Sequence, residues 1–266
     1  MKKIINALAV SSMLLLLAAC SYTGKAQNVM TAGDLLDKSQ KAMETSLKSV
    51  QSHIVYDETE VTVFDGDLEN PERAGVKFDM NTVAFLDPVK VHTETKVTPR
   101  GTAPWNMDVY RVDDRVFVTD NKNNKWDELS SGSIAEVFGT LVSGVNPIVD
   151  LSKFKEFEDD FILQPIDYGY ALKLSLDRNQ LKQFKEIFPD IGSSQEGFDM
   201  VDRLDIVITF NNRTLYVTGF TMSSYIKTYK DSNSYRSQQK LNATYSYFND
   251  AENFELPKEV KDPTSK

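Results

Sequence analysis

The amino-acid sequence predicts an α+β protein: one large antiparallel sheet, strongly curved and packed on helices. Three observations carry that reading. Segments that alternate polar and apolar residues recur through most of the chain, about eleven of them, separated by short polar turns. Helical stripes are few, about four, and fall between runs of strands. No composition break marks a linker, and no 20–50-residue repeat is visible. The bulk composition is that of an ordinary globular protein, with 266 residues, 41% hydrophobic and 26% charged.

The N-terminus reads as an address. Lys2 and Lys3 precede Ile4 to Leu17, a run interrupted only by Asn6, Ser11 and Ser12. About fourteen residues are too few to cross roughly 30 Å of hydrocarbon as a helix, and they fit the apolar region of a secretory leader. Leu17-Ala18-Ala19-Cys20 follows, with small residues ahead of the single cysteine. This stretch resembles the bacterial lipobox residue for residue. The resemblance implies that residues 1–19 are a lipoprotein signal peptide and that Cys20 carries a diacylglycerol. The protein would then be lipid-anchored at the cell membrane, facing the extracytoplasmic side. Two or more acyl chains hold far better than one, at about 0.8 kcal/mol per buried CH₂. Residues 20–30 form the lipidated cysteine and a tether reaching at most about 33–36 Å. Residues 31–266 read as a single domain.

Thr31 caps a helix over about 32–48, with Asp34 in its first turn. Leu35, Leu36, Met43, Leu47 and Val50 fall near one face, and Ser39 and Ser46 share that stripe. Strands follow at about 50–64, 75–86, 88–98, 105–112, 115–119 and 125–129. Asp113-Asp114 and Asn121-Lys122-Asn123-Asn124 serve as hairpin connections. Ser133-Ile134-Ala135-Glu136 matches a capping box, and Ile134, Val137, Phe138, Leu141 and Val142 make a full apolar stripe. Asn146-Pro147 starts another helix with proline at its first position, burying Ile148, Leu151, Phe154 and Phe157. Strands return at about 160–166 and 169–176. A short helix opened by Asp177 and Gln180 carries Leu181, Phe184, Ile187 and Phe188 up to Pro189. Gly192 to Gly197 reads as loop. Strands at about 200–211, 214–229 and 236–249 close the domain.

A sheet with one wet face carries polar residues there, and several of these strands do not. Phe85 opposes Phe78 and Met80, Tyr110 and Val112 oppose Met107 and Val109, and Leu215 and Val217 oppose Tyr216 and Phe220. Both faces are therefore partly covered. The apolar residues Phe85, Tyr110, Val112, Leu215, Val217 and Tyr225 either line an apolar cleft or belong to a two-sided core, since a filled core and an open groove use the same residues. Tyr225, Tyr229, Tyr235, Tyr245 and Tyr247 fit cross-strand pairing on sheet faces; the same residues could stack on sugars or grip a partner.

The charge of −9 (Lys+Arg 30, Asp+Glu 39) lacks the basic footprint of a nucleic-acid binder. One cysteine excludes a disulfide framework, and two histidines leave little for a histidine-based metal cage. No nucleophile elbow, Walker loop or H-E-x-x-H is present. His53 and His92 read as strand residues. Asp65-Gly66-Asp67-Leu68-Glu69-Asn70 is loop-like but lacks the glycine and glutamate of a calcium loop, holding Asn70 and Val76 at those positions. No catalytic residue, metal site or cofactor is expected, and a hydrolase is the least supported class.

The order of elements is similar to that of LolA/LppX-like bacterial envelope lipoproteins. The segments that carry the likeness are Leu35-Leu36-Asp37-Lys38-Ser39 leading to Leu47-Lys48-Ser49-Val50, and the closing Phe254-Glu255-Leu256-Pro257-Lys258-Glu259-Val260. The resemblance implies an unclosed half-barrel wrapped on helices, with a lipid in its cavity in some members. Two readings follow: an anchored protein that binds an acyl lipid or other amphiphile, or a protein-interaction or sensor module of the cell envelope with no small ligand.

Overall fold

The computed structural model describes residues 30–64, 67, 71–113, 115–120, 126–129, 149–187, 201–230 and 233–261. The chain divides into two units, Met1–Thr31 and Ala32–Lys266. The second begins with helix α1 (Ala32–Ser46), whose first turn carries Asp34 and whose buried stripe includes Leu35, Leu36, Ser39 and Met43. Strands β1 (Ser49–Val63), β2 (Glu72–Leu86), β3 (Val89–Pro99), β4 (Trp105–Val112), β5 (Arg115–Asp120) and β6 (Asp127–Leu129) follow. A 3₁₀ helix (Leu151–Phe157) leads to β7 (Ile162–Ile166), β8 (Gly169–Asp177) and α2 (Gln180–Ile187). β9 (Val201–Asn211), β10 (Val217–Lys230), β11 (Asn233–Ser246) and the short α3 (Lys258–Lys261) complete the domain.

The eleven strands among the described residues form one antiparallel sheet in the order β6-β5-β4-β3-β2-β1-β11-β10-β9-β8-β7. It consists of two meanders, β1 to β6 and β7 to β11, joined where the first strand pairs with the last. Ile54 faces Ala243, and Tyr56 faces Leu241, along that seam. β6 and β7 are the two edges, so the sheet is unclosed, as in a half-barrel.

The period of two sorts the strands into faces. On the inner face, Ile54 and Tyr56 of β1 align with Met80 and Phe78 of β2 and, across β11, with Phe220 and Met222 of β10. The row continues through Ile208 and Ile206 of β9 to Leu172 and Leu174 of β8. Helices cover this face. Phe154 of the 3₁₀ helix packs on Phe220 with ring centroids 6.2 Å apart, and Phe157 packs on Phe184 of α2 at 5.8 Å. Leu172, Ile208 and Phe184 are fully buried.

α1 and the 3₁₀ helix are tied by charge. Lys155 Nζ lies 2.8 Å from Asp37 and 2.7 Å from Glu158. Gly169 opens β8 where a Cβ would lie 1.7 Å from the Phe210 carbonyl oxygen, so only glycine fits that approach.

Two expectations change, and a third lies outside the described residues. The described residues contain three α-helices, not four: Leu151–Phe157 is a 3₁₀ helix, and the C-terminal segment adds α3. The short run between Asp150 and the Phe157 turn leaves room for tight i→i+3 turns, and Asp150 caps it by accepting from the Ser152 N–H. The helix expected from Ser133, together with Asn146-Pro147 and Ile148, lies outside the described residues. Val217 does not oppose Phe220. A bulge between Val217 and Gly219 shifts the register by one residue, placing Val217 opposite Phe210 on the inner face.

Candidate functional site

An open cleft of about 510 Å³ lies at the C-terminal end of α1, lined by Gln40, Met43, Glu44, Leu47, Leu86, Asp87, Val149, Asp150 and Ser152. Helical spacing sets one side: Gln40, Met43, Glu44 and Leu47 recur at i, i+3, i+4 and i+7. The β2–β3 turn supplies Leu86 and Asp87, and the segment entering the 3₁₀ helix supplies the rest. The rim is ordered by hydrogen bonds. Gln40 Nε2 donates to Glu44 Oε1 at 2.8 Å, the Leu151 N–H donates to Gln40 Oε1 at 2.9 Å, and Ser152 Oγ donates to Asp150 Oδ1 at 2.6 Å.

Beneath the rim the surroundings turn apolar. Met43, Leu47 and Val149 also border a small apolar void lined by Val50, Val217, Tyr245 and Phe248. Polar edge and apolar floor therefore meet in one place. The rim carboxylates Glu44, Asp87 and Asp150 face no Lys or Arg among the lining residues.

The six residues named from sequence do not gather in one cleft. Val217 lies on the floor just described. Leu215 stands beside it at the left-handed φ of 61°, and its carbonyl accepts from Ser39 Oγ of α1 at 2.5 Å. Phe85, Tyr110 and Val112 lie on the opposite, outer face. There they are covered by the C-terminal segment: Phe254 packs on Phe85 at 6.0 Å and on Tyr110 at 5.8 Å, and Val260, Leu256 and Trp126 join them. Lys90 Nζ holds this strap by donating to Asn253 Oδ1 at 3.1 Å and to the Phe254 carbonyl, and lies 4.1 Å from the Phe254 ring centroid. Burial pushes the Lys90 ammonium below its ordinary range. Tyr225 is exposed on β10. Cys20 and Leu17, Ala18 and Ala19 lie outside the described residues.

The tyrosines divide between environments. Tyr225 and Tyr247 are exposed, whereas Tyr235 and Tyr245 pair across to Thr62 and Ser52 on the inner face. Tyr235 Oη donates to Glu60 Oε1 at 2.6 Å, and Gln239 Nε2 donates to Glu58 Oε1 at 2.7 Å. Burial and the Glu60 carboxylate push Tyr235 up to about 12.

Sequence reasoning missed the rim. Its signal was present in Gln40 and Glu44, polar residues flanking Met43 and Leu47, but the β2–β3 turn and Asp150 reach the same place only through the fold. It also treated the C-terminal segment as a closing run, where the structure shows a cover for the outer face. Among the described residues no helix is long and apolar enough to cross a membrane.

Among curated proteins nothing matches the chain. Similar solved structures include LprF from Mycobacterium bovis, with 12% identity over 85% of this chain and 95% of that one at a TM-score of 0.42. The LolA superfamily protein NE2245 from Nitrosomonas europaea has 12% identity over 86% and 96% at 0.23. The MucA/MucB complex of Pseudomonas aeruginosa has 13% identity over 80% and 56% at 0.24. The model of a family of unknown function, DUF6612, matches residues 31–265, and the chain belongs to that family.

Proposed function

We propose that this protein is an envelope lipoprotein, anchored through Cys20, that binds an amphiphile in the cleft under α1. The observation that supports the reading is the cleft itself: about 510 Å³, rimmed by Gln40, Glu44, Asp87, Asp150 and Ser152, with Met43 and Leu47 leading to an apolar floor. Ligand cavities are commonly about 300–1,000 Å³, largely apolar, with a few placed polar groups. A polar rim over an apolar floor suits a ligand with a head and a tail. The rim carboxylates disfavour an anionic head, so neutral or cationic head groups bind better.

The test is titration of the purified chain with fluorescent single-chain amphiphiles that differ only in head-group charge. Saturable uptake is expected, with the neutral and cationic probes at least tenfold tighter than the anionic one. Glu44 is exposed on α1, so Glu44→Trp fills the cleft without disturbing the core. This variant is expected to lose uptake at least tenfold while keeping its circular dichroism. Uptake that is unsaturable, or unchanged in Glu44→Trp, sinks the cleft and turns attention to a protein partner. The anchor has its own readout: Cys20→Ala in cells moves the protein from the membrane to the soluble fraction. Continued membrane retention of that variant would contradict lipidation at Cys20.

A further inference from the structure

On the outer face of β3 and β4, away from the cleft, three side chains with metal-ligand chemistry converge. His92 and Glu94 are two residues apart on β3, and Asp108 of β4 pairs directly with Glu94 across the strands. One ligand atom from each lies within 4.8 Å of the other two. Two carboxylates directly opposite in a sheet repel each other and weaken the pairing unless a cation lies between them. His92 Nε2 is shielded from solvent, and its nearest partner is the Asp108 carboxylate. It stands 3.7 Å from Asp108 Oδ1, beyond hydrogen-bond reach.

The imidazole is held in place by its neighbours. It stacks on Tyr110 with centroids 4.2 Å apart and planes 4° from parallel, and Phe254 of the C-terminal strap packs on it at 5.4 Å. His53 offers a contrast on the same face. Its Nε2 pairs with Asp79 at 2.9 Å, an ordinary hydrogen bond that satisfies the nitrogen.

We propose that His92, Glu94 and Asp108 bind one divalent transition-metal ion of the zinc type. The donor set is one imidazole nitrogen and two carboxylates. Imidazole suits zinc and its neighbours, whereas calcium and magnesium favour all-oxygen sets. Two carboxylates with a neutral imidazole balance the charge of a divalent cation. Three protein ligands leave a coordination position open to water. The ion would join β3 to β4 beside the C-terminal strap, relieving the Glu94–Asp108 repulsion and giving His92 Nε2 a closer partner than the Asp108 carboxylate at 3.7 Å.

The test is calorimetric titration of the purified chain with Zn²⁺, alongside melting curves with and without the metal. Expected is saturable uptake of one equivalent, a rise in melting temperature on addition, and no comparable uptake of Ca²⁺. Glu94 is exposed, so Glu94→Gln keeps the fold. This variant is expected to melt higher than the parent without metal, because the repulsion is gone, yet to bind Zn²⁺ at least tenfold more weakly. Asp108→Asn is expected to show the same loss, and His53→Gln to leave uptake unchanged. Absence of saturable uptake, a loss below tenfold in Glu94→Gln and Asp108→Asn, or a loss caused by His53→Gln would each overturn the proposal.

Discussion

Ser39 sits fully buried in the middle of the apolar stripe of α1, where a polar residue weakens a helical reading. Its Oγ donates to the Leu215 carbonyl at 2.5 Å, so the hydroxyl is the stitch that joins α1 to the bend before β10. Removing it leaves a buried acceptor without that donor, and Ser39→Ala is expected to cost about 1–3 kcal/mol in denaturant unfolding. Phe154, packed on Phe161 and Phe220, is a core residue of the ordinary kind. Phe154→Ala is expected to cost about 3–5 kcal/mol. Tyr235 carries a pH dependence. Its pKa is raised by burial and by Glu60 to about 12 in the fold, against 10.0 in the open chain. The folded state therefore holds the phenolic proton more tightly. The stability it contributes is complete below pH 10.0 and is lost as pH rises to about 12. Tyr56, Tyr110 and Tyr245 are raised in the same direction, so Tyr235→Phe is expected to lessen the loss of stability in that window without abolishing it, as followed by denaturant unfolding at each pH. Phe154 was legible from its apolar spacing. The role of Ser39 was not, because its partner is 176 residues away.

Elements were read well where one period dominated. The eleven strands were visible because polar and apolar residues alternate over runs long enough to sort two faces, as in Tyr170, Leu172, Leu174 and Leu176 of β8. Boundaries failed where local geometry broke the period. The bulge between Val217 and Gly219 is one extra residue, and a pattern of alternation alone carries it onto the wrong face. The segment Leu151–Phe157 keeps the apolar positions of an α-helix but winds as 3₁₀, since Leu151, Phe154 and Phe157 at i, i+3 and i+6 satisfy that winding equally well. The C-terminal segment shows what a sequence leaves open. Apolar Phe254, Leu256 and Val260 were plain, but the surface they cover was not, because Phe85, Tyr110 and Phe117 meet there only after β2, β4 and β5 align. Ending the chain after Asn253 is expected to expose that surface. Burial of one such side chain contributes about 1.5–3 kcal/mol, so the truncated chain should lose at least that much in denaturant unfolding and bind a hydrophobic dye. An unchanged midpoint would show that the strap is not part of the stable fold.

At the scale of the molecule, the seam between β1 and β11 joins the chain's two meanders and leaves β6 and β7 as edges. Helices lie over one face, the C-terminal strap over part of the other, and the cleft lies where α1 ends above the β2–β3 turn. The expectation of covering on both faces came from residues such as Phe85 and Val217. Which of them faces a cavity did not, because an apolar strand residue looks the same under a helix, under a strap or in a groove. Phe85, Tyr110 and Val112 lie under the strap, and Val217 lies on the cleft floor. The measurement that bears most directly on an amphiphile-binding cleft is native mass spectrometry of the chain purified from bacteria. A discrete added mass is expected, released by organic solvent, identified as an amphiphile without an anionic head, and missing from Glu44→Trp. An apo mass that stays unchanged on titration with such amphiphiles would contradict an amphiphile-binding cleft.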